Sequence, residues 1–363
     1  MPPPETTGIP DPELAAVVAS LPPEWRKPAP AYTGVIHPSS FNSNPTCPRR
    51  YMYTERLRWG FEKRSEPLVI GSLAHRLLAG VYSGLSLPES VEAVAGGVAA
   101  ALDALEDPKA KTAGMKAWNV SRVMVEHYLK HFTVPSGKVL AVEQTIQSTS
   151  HEHSEDPATT IVGTLDAVTQ DAAGDTWLED HKTTSMLPSV RAAGLSFDSQ
   201  SRLYRFLRDS SHHDLTPCVG VIHNILMTPG IRLTKNETYD DYFKRVGEWY
   251  ETEMAAEPGA VPFMRSYVRW REPALRDNME LKEQLDSASD WCHRALYLDH
   301  FPRDCHACRQ YRSVCPHMCL CDADLATWPD TLVAKFQHLE PPLDAALKGH
   351  ASLSDDVELA TGA

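Results

Sequence analysis

The sequence lacks the features that mark membrane, secreted or motor proteins. No run of 18 apolar residues occurs in its 363 positions, which excludes an ordinary transmembrane helix, so we expect no membrane partner. The opening residues, MPPPETTGIP, contain neither a basic segment nor an apolar one, so we expect no secretory signal and a cytoplasmic location. A glycine-rich P-loop is also missing, so we expect no nucleotide-driven motor within this chain.

An excess of basic residues is missing too. The 35 Lys and Arg against 48 Asp and Glu give a net charge of −13, which by itself argues against a polyanionic partner. The distribution weakens that argument, because residues 47–64 hold six basic and two acidic side chains, whereas residues 148–181 hold eight carboxylates and no Lys or Arg. An acidic cluster beside a basic surface suits a metal-dependent enzyme that acts on a polyanion. A mixed solvated surface remains the alternative for either segment alone.

The hydrophobic period changes along the chain from helical to strand-like and back. It predicts helices over 48–60 and 71–83 and within the Ala-rich residues 88–133. It then predicts strands over 138–147, 160–170 and 175–183, a helix over 199–209, a strand over 218–227, a helix over 237–256, a strand over 263–270 and a helix over 273–298. This order predicts a mixed α/β fold, between a Pro-rich lead-in at 1–31 and an acidic C-terminal tail at 322–363.

Two aspartates fall on successive predicted strands. Asp166 shares its strand face with Val162 and Val168, where a carboxylate is costly unless it is paired or metal-bound. Asp180 and Lys182 are two residues apart and therefore project from one side of the next strand. Aspartate offers hard oxygen ligands to a divalent ion, and lysine stabilises charge on a phosphate. The alternatives are a solvated edge strand for Asp166 and a surface ion pair for Asp180 and Lys182.

Five of the eight cysteines lie within residues 305–321. Because we expect no secretory signal, we interpret these clustered thiols as metal ligands rather than disulfides. Four thiolates bind either a tetrahedral zinc ion or a 4Fe–4S cluster. The local set that would bind zinc unaided is Cys305, Cys308, Cys315 and Cys319, with His306 and His317 as spare ligands.

Several segments together resemble one nuclease family. GTLDAV at 163–168 followed by LEDHKTT at 178–184 resembles the PD-(D/E)XK nuclease superfamily, although Leu165 stands where a proline is usual. Four further features resemble RecB-like exonucleases, and the last of them resembles AddB nuclease domains and CRISPR-associated RecB-like nucleases. They are GSLAH at 71–75, QSRLY at 200–204, VIHNIL at 221–226, and CPRRY at 47–51 combined with the C-x2-C-x6-C spacing from Cys305 to Cys315.

The resemblance covers about residues 40–321 and implies a restriction-endonuclease-like core, a mixed central sheet flanked by helices. The nuclease domain would span 32–321, with a helical insertion at 84–135 and a cysteine cluster at 305–321 that packs with Cys47.

The resemblance also implies the roles of individual residues. His75, Asp166, Asp180 and the carbonyl of His181 would bind Mg²⁺ or Mn²⁺, and Lys182 would be the catalytic lysine. Gln200 and Tyr204 would position the DNA strand or the lysine. Alternatives stay open, since a histidine on a helix face is usually structural and Gln200 and Tyr204 share a face with Leu203 and Leu207. Glu143 either approaches the metals from the first strand or marks a strand edge.

For the cysteines, the resemblance implies that Cys47, Cys305, Cys308 and Cys315 hold a structural 4Fe–4S cluster that joins the two ends of the domain. Cys319 or Cys321 would replace one ligand in an alternative set. The implied function is a metal-dependent DNA exonuclease in DNA recombination, repair or phage DNA processing. Its substrate would be single-stranded DNA or DNA ends, with a helicase or recombination partner. An endonuclease on the same fold, or a non-catalytic nucleic-acid-binding or scaffold protein with a zinc-stapled end, remain the alternatives.

Overall fold

The protein is described here by a computed structural model. It describes residues 66–149, 160–195, 198–211, 218–255, 261–270, 317–321 and 327–338, together with 35–36, 47, 50, 53, 59–61 and 315. Cys305 and Cys308, the lead-in at 1–31 and the helix predicted over 273–298 lie outside the described residues.

The strands and helices follow the predicted order through the middle of the chain. The strands are β1 (Val35–Ile36), β2 (Trp59–Phe61), β3 (Lys138–Thr149), β4 (Thr160–Gln170), β5 (Thr176–Thr184), β6 (Cys218–Met227), β7 (Phe263–Arg269) and β8 (Phe336–His338). The helices are α1 (Glu66–Tyr82), α2 (Leu87–Asp103), α3 (Pro108–His131), α4 (Pro188–Ala192), α5 (Ser199–Ser211), α6 (Tyr239–Met254), α7 (Met318–Cys321) and α8 (Trp328–Lys335).

The helix predicted over 48–60 is wrong at its C-terminal end. There the chain forms β2, which pairs antiparallel with β8. Trp59 pairs with His338, almost 280 residues further along the chain. A helical period carries no information about so distant a partner. The pairing also places α8 and β8 in packed structure, although the sequence assigned these residues to the acidic tail. Trp328 and Leu332 of α8 are buried.

A six-stranded mixed sheet forms the centre of the molecule. Its order is β1-β4-β5-β6-β7, with β3 on the other edge of β4. The neighbours β3, β4 and β5 are antiparallel, β5 and β6 are parallel, and β6 and β7 are antiparallel. The prediction of a mixed α/β fold with a central sheet is therefore confirmed. No helix among the described residues is both long and apolar enough to cross a membrane.

β4 and β5 pair only near the hairpin that joins them. The register runs from Gln170 with Thr176 to Ala167 with Glu179 and then stops. Because β3 covers the other edge of β4 throughout, the freed edge beyond this point is occupied by β1 instead. We call the point of separation, where Asp166 and Asp180 would be the next pair, the fork. The fork brings two carboxylates from different strands opposite each other.

Helices cover both faces of this sheet. α1 packs against α3, and α3 against α6, around a core that contains Leu77, Leu78, Met124 and Tyr250. Burying a side chain of this size contributes about 1.5–3 kcal/mol to stability. On the opposite face, α5 packs against β3 and β4. Strand alternation therefore directs successive residues of β5 toward different helices.

Sequence signals fix the starts of several of these helices. Ser86 and Glu89 form a reciprocal capping box before α2, and Asp107 caps α3, whose first residue is a proline. Thr238 accepts a hydrogen bond from the backbone of Asp241 at the start of α6.

A buried carboxylate joins the helical layer to the sheet. Glu179 of β5 is only 1% exposed. The hydroxyls of Tyr82 and Ser136 donate to it, as do Thr169 Oγ1 at 2.9 Å and Asn224 Nδ2 at 2.7 Å. Burial alone would raise the pKa of Glu179, but these hydrogen bonds lower it below its usual value. A buried charge with four donors is satisfied rather than strained, and it fixes the position of β5 against α1.

Gly71 lies at a close contact between α1 and β5. A Cβ atom there would meet Thr183 Oγ1 at 2.8 Å, and the next nearest atom of Thr183 would be 4.0 Å away. Gly71 is one helical turn before His75, so displacement of α1 at this contact would also move His75.

Gly71→Ala should therefore destabilise the protein by about 1–3 kcal/mol through overpacking, despite the better helix propensity of alanine. Adding Thr183→Ala should remove the clash, so that Gly71→Ala costs little in that background. Urea denaturation of the four proteins measures the cycle. Gly97→Ala on α2, where a Cβ meets open space, is the control and should be neutral or slightly stabilising. Similar effects of the two glycine substitutions would contradict the close contact.

Candidate active site

The fork gathers the first group of polar side chains that the sequence singled out. Asp166 Oδ2 accepts the backbone N–H of His181 at 2.7 Å, across the gap between the separating strands. Asp166 Oδ1 lies 3.3 Å from Nδ1 of His75, which α1 supplies. The rings of His75 and His181 lie edge to face, with centroids 5.7 Å apart. Three residues from three different elements thus meet at one point.

The contact between His75 and Asp166 is an ion pair. Burial alone would lower the pKa of His75, but the charge of Asp166 and, more weakly, of Glu143 and Asp180 raises it to about 9. Burial alone would raise the pKa of Asp166, yet the neighbouring His75 lowers it below its ordinary value. In the absence of a metal ion both groups are therefore charged at neutral pH, and His75 would have to lose its proton in order to bind one.

Asp180 and Lys182 project from the same side of β5, toward α5. Lys182 Nζ lies 2.9 Å from Asp180 Oδ1 and donates to Gln200 Oε1 at 2.7 Å. Gln200 Nε2 in turn donates to the hydroxyl of Tyr204 at 2.8 Å. Leu203, on the same helix, is fully buried. One face of α5 therefore carries both an apolar residue, Leu203, and the polar residues Gln200 and Tyr204 that lead to the lysine. The core-facing interpretation applies to the first and the site interpretation to the other two.

Charge and burial set the protonation of this second group. Burial alone would lower the pKa of Lys182, but the Asp180 carboxylate raises it above the ordinary value, so the ammonium keeps its proton. Burial alone would raise the pKa of Asp180, whereas Lys182 and the hydrogen bond from His223 lower it well below the usual range. Burial and the charge of Asp180 raise the pKa of Tyr204, which stays a neutral hydroxyl.

Sequence reasoning did not single out His223 as a site residue. It is fully buried on β6, directly beside Asp180 in the parallel β5–β6 register. Its Nδ1 lies 2.8 Å from Asp180 Oδ2, and its Nε2 lies 3.4 Å from Ser201 Oγ. A signal for it existed, because His223 and Asn224 are the polar residues of an otherwise apolar strand segment, VIHNIL. Buried polar residues of this kind need partners.

Glu143 lies on β3 opposite Asp166, since the residues on either side of Glu143 pair with those on either side of Asp166. Its φ of 47° is in the left-handed region, which costs a residue other than glycine about 1–3 kcal/mol. Burial and the charge of Asp166 raise the pKa of Glu143 to about 7, although His75 and Arg76 act in the opposite direction. The strained backbone thus brings a third carboxylate to the fork.

The candidate metal ligands contact one another or neighbouring side chains rather than surrounding a preformed metal site. Within the part of the chain that the structure describes, no three His, Cys, Asp or Glu side chains form a group that could hold a metal ion. Their chemistry nevertheless fits a divalent cation. Aspartate carboxylates and a backbone carbonyl are the hard oxygen ligands that Mg²⁺ and Mn²⁺ prefer, and the imidazole of His75 is an additional ligand of the kind found with Mn²⁺.

The cysteines form a separate region of the molecule. Cys47 is buried, and its Sγ accepts the backbone N–H of Arg50 at 3.5 Å. Cys321 is also buried and lies 3.8 Å from the hydroxyl of Tyr53, whose ring stacks on His317 with centroids 5.4 Å apart. The segment after Cys47 therefore contacts the C-terminal segment. The partners predicted at Cys305 and Cys308 lie outside the described residues, and Cys315 and Cys319 are partly exposed.

Comparison with family models decides the family. The model of the PD-(D/E)XK nuclease superfamily matches residues 36–321, well over half of the chain. The chain belongs to the PD-(D/E)XK nuclease superfamily. The predicted superfamily and its α/β fold are confirmed. Membership implies a nuclease, that is a phosphodiester hydrolase with DNA as its substrate, and PD-(D/E)XK nucleases generally use Mg²⁺ or Mn²⁺.

Comparisons with individual proteins add little. No curated protein matches the chain. Among solved structures 14 chains match, including the one described as "Crystal structure of SSO0001". Its sequence is 11% identical to that of this PD-(D/E)XK chain, and the matched region covers 76% of this chain and 81% of the other chain. The two superimpose with a TM-score of 0.30. A likeness of this extent carries no argument about substrate or activity.

The position of Glu143 predicts a pH dependence of stability. Its pKa rises from 4.5 to about 7 on folding, so its contribution is complete below pH 4.5 and is lost as the pH rises through about 7. Metal-free wild-type protein should therefore lose stability between pH 5 and 8, relative to Glu143→Gln. Urea denaturation in EDTA across this range measures the difference. Glu92→Gln, at an exposed site on α2, should give a curve parallel to the wild type. A parallel curve for Glu143→Gln would contradict the raised pKa.

Proposed function

We propose that this protein is a divalent-metal-dependent DNA exonuclease of the RecB-like type. The observation that carries the proposal is the largely buried Asp180–Lys182 pair, 2.9 Å apart, with Asp180 opposite Asp166 at the fork. A charged lysine and carboxylates from two strands supply the groups that hydrolysis of a phosphodiester needs, and superfamily membership gives them a nuclease context.

Two contacts support the RecB-like assignment within the superfamily. His75, from the GSLAH segment, reaches Asp166 from α1. Gln200 and Tyr204, from the QSRLY segment, form a hydrogen-bonded chain to Lys182. The segments that resemble RecB-like exonucleases thus converge on the superfamily aspartates and lysine, although they lie far apart in the sequence.

His75, Asp166, Asp180 and the carbonyl of His181 would hold Mg²⁺ or Mn²⁺. The bound ion would polarise the phosphate and lower the pKa of the attacking water. Burial and the charge of Asp166 raise the pKa of Glu143, and the charge of a divalent cation would offset the repulsion between these carboxylates.

Lys182 would act as a fixed positive charge. Its pKa is raised, so Nζ keeps its proton at neutral pH and attracts the phosphate oxygens that gain charge during hydrolysis. Gln200 accepts one of its N–H groups, and the Tyr204 hydroxyl orients that amide. A lysine with one defined orientation is more effective than a mobile one, because no reorganisation is needed in the transition state.

Asp180→Asn and Lys182→Met should each reduce cleavage at least about 100-fold, because each removes charge that acts on the transition state. The assay uses end-labelled single- and double-stranded DNA with Mg²⁺, Mn²⁺ or EDTA. The exposed pair Lys244 and Glu248, 3.9 Å apart on α6, offers matched controls, and Lys244→Met and Glu248→Gln should leave the rate unchanged.

An exonuclease releases nucleotides from ends and leaves a covalently closed circle intact. Cleavage of closed circles by the wild-type protein would replace this proposal with the endonuclease. DNA binding without cleavage in any metal would favour the non-catalytic scaffold. Roles in recombination, repair or phage DNA processing, with a helicase partner, belong to the same proposal and depend on the same result.

We also propose that Cys47, Cys305, Cys308 and Cys315 hold a structural 4Fe–4S cluster. The buried sulfur of Cys47 accepts a backbone N–H, the type of hydrogen bond that stabilises cluster thiolates. The contact of Tyr53 with Cys321 supports proximity of the two chain segments that would share the cluster. Such a cluster would contribute its binding free energy to folding.

Anaerobically purified protein should be brown, absorb near ~400 nm and contain roughly four irons per chain, as expected for a cysteine-ligated cluster. Cys47→Ala should lose the colour and lower the melting temperature, whereas Cys218→Ala on β6 should keep both. Metal analysis, absorbance and thermal melting give the readouts. One zinc and no iron, retained in Cys47→Ala, would assign the metal to Cys305, Cys308, Cys315 and Cys319 instead.

A further inference from the structure

Asp180 has both of its carboxylate oxygens engaged, and by different residues. Lys182 Nζ lies 2.9 Å from Oδ1, and His223 Nδ1 lies 2.8 Å from Oδ2. An ionised carboxylate only accepts hydrogen bonds, so Nδ1 of His223 is the donor. The lysine comes from the same strand as Asp180. The histidine comes from the neighbouring strand, where the parallel register sets it beside Asp180.

The other ring nitrogen of His223 is engaged as well. Nε2 lies 3.4 Å from Oγ of the buried Ser201, whose single hydroxyl proton is within reach of both Nε2 and Asp198 Oδ2, the latter at 3.2 Å. The imidazole thus has a polar partner at each nitrogen, which defines the orientation of its ring. A fully buried histidine with both nitrogens engaged is a rigid group.

Both oxygens of Asp180 are therefore connected to α5. One connection runs through Lys182 to Gln200, and the other through His223 to Ser201, the next residue of the helix. The orientation of the carboxylate depends on the position of α5 against β5 and β6. Loss of the His223 connection would leave Asp180 oriented by Lys182 alone.

We propose that His223 is a positioning residue for Asp180. By holding Oδ2, it keeps the carboxylate in one orientation for the divalent ion, which rests on the metal-dependent function proposed above. Groups that orient a metal ligand in this way typically contribute about 10–100-fold to metal affinity. His223 itself does not touch the ion or the DNA.

The test measures Mn²⁺ affinity of the full-length protein, by titration calorimetry and by the EPR signal of free Mn²⁺. His223→Leu should weaken Mn²⁺ binding about 10–100-fold. His223→Asn should recover most of the affinity, because its Nδ2 can donate from the position of Nδ1. His127→Leu is the matched control, since His127 is a buried histidine of α3 that stacks on Tyr250. The Mn²⁺ affinity of this variant should equal that of the wild type.

A second pair of variants covers the case in which His223→Leu does not fold. His223→Gln is also polar, but its amide reaches the position of Nε2 rather than Nδ1, so it should bind Mn²⁺ more weakly than His223→Asn. Equal affinities of the Asn and Gln variants would overturn the proposal. So would an affinity of folded His223→Leu within about twofold of wild type, given the expected 10–100-fold loss.

The same experiment separates this proposal from the proposed function. A wild-type protein that binds no Mn²⁺ would remove the metal centre, and both proposals with it. A wild-type protein that binds Mn²⁺, with no loss in His223→Leu, would remove the positioning role alone. An equal loss in His223→Leu and His127→Leu would assign His223 to packing and would also overturn its positioning role.

Discussion

The separation of β4 from β5 beyond the Ala167–Glu179 pair is the constraint on which the candidate site depends. Strands that stayed paired would use the backbone groups at Asp166 and His181 in the sheet ladder. Because they separate, the Asp166 carboxylate accepts the freed N–H of His181, and α1 has room to bring His75 to the same carboxylate. An irregularity of the sheet thus creates a polar site within the folded core.

Polar residues on the two sides of β5 have different roles: those on one side stabilise the fold, and those on the other belong to the candidate site. One side carries Glu179, whose buried charge is satisfied by four donors and joins α1 to the sheet. The other carries Asp180 and Lys182, which interact with each other and with α5. The neighbouring strand repeats the division, because Asn224 serves the first side and His223 the second. Buried polar groups on both sides are tolerated only because each has a partner.

Electrostatic balance links these groups. Burial and the charge of the Asp166 carboxylate disfavour ionisation of Glu143, and His75 compensates part of the charge of both residues. Lys182 does the same for Asp180. Each of these two aspartates is thus balanced by one positive charge, and Glu143 adds further negative charge at the fork when it ionises. This is consistent with the metal dependence that is general among PD-(D/E)XK nucleases.

Much of this arrangement was readable from the sequence. Alternation gave the strands β3, β4 and β5, and the two-residue spacing of Asp180 and Lys182 gave their common side, because both are local properties of an extended backbone. The resemblance added His75, Gln200 and Tyr204; in the structure His75 lies beside Asp166, Gln200 contacts Lys182, and Tyr204 contacts Gln200. Their roles in metal binding and hydrolysis remain predictions.

Other features depended on partners that lie far away in the chain. The pairing of β2 with β8 replaced the end of a predicted helix, since helical periodicity does not report a distant strand. Nothing in the local sequence pattern predicted the left-handed backbone of Glu143, which lies opposite Asp166. The link from His223 to Asp180 follows from the parallel register of β5 and β6, which α4 and α5 separate in the sequence. Spacing in the sequence determined which side chains share a face, but only tertiary packing decided which faces meet, because register and helix position are set by contacts across the whole core.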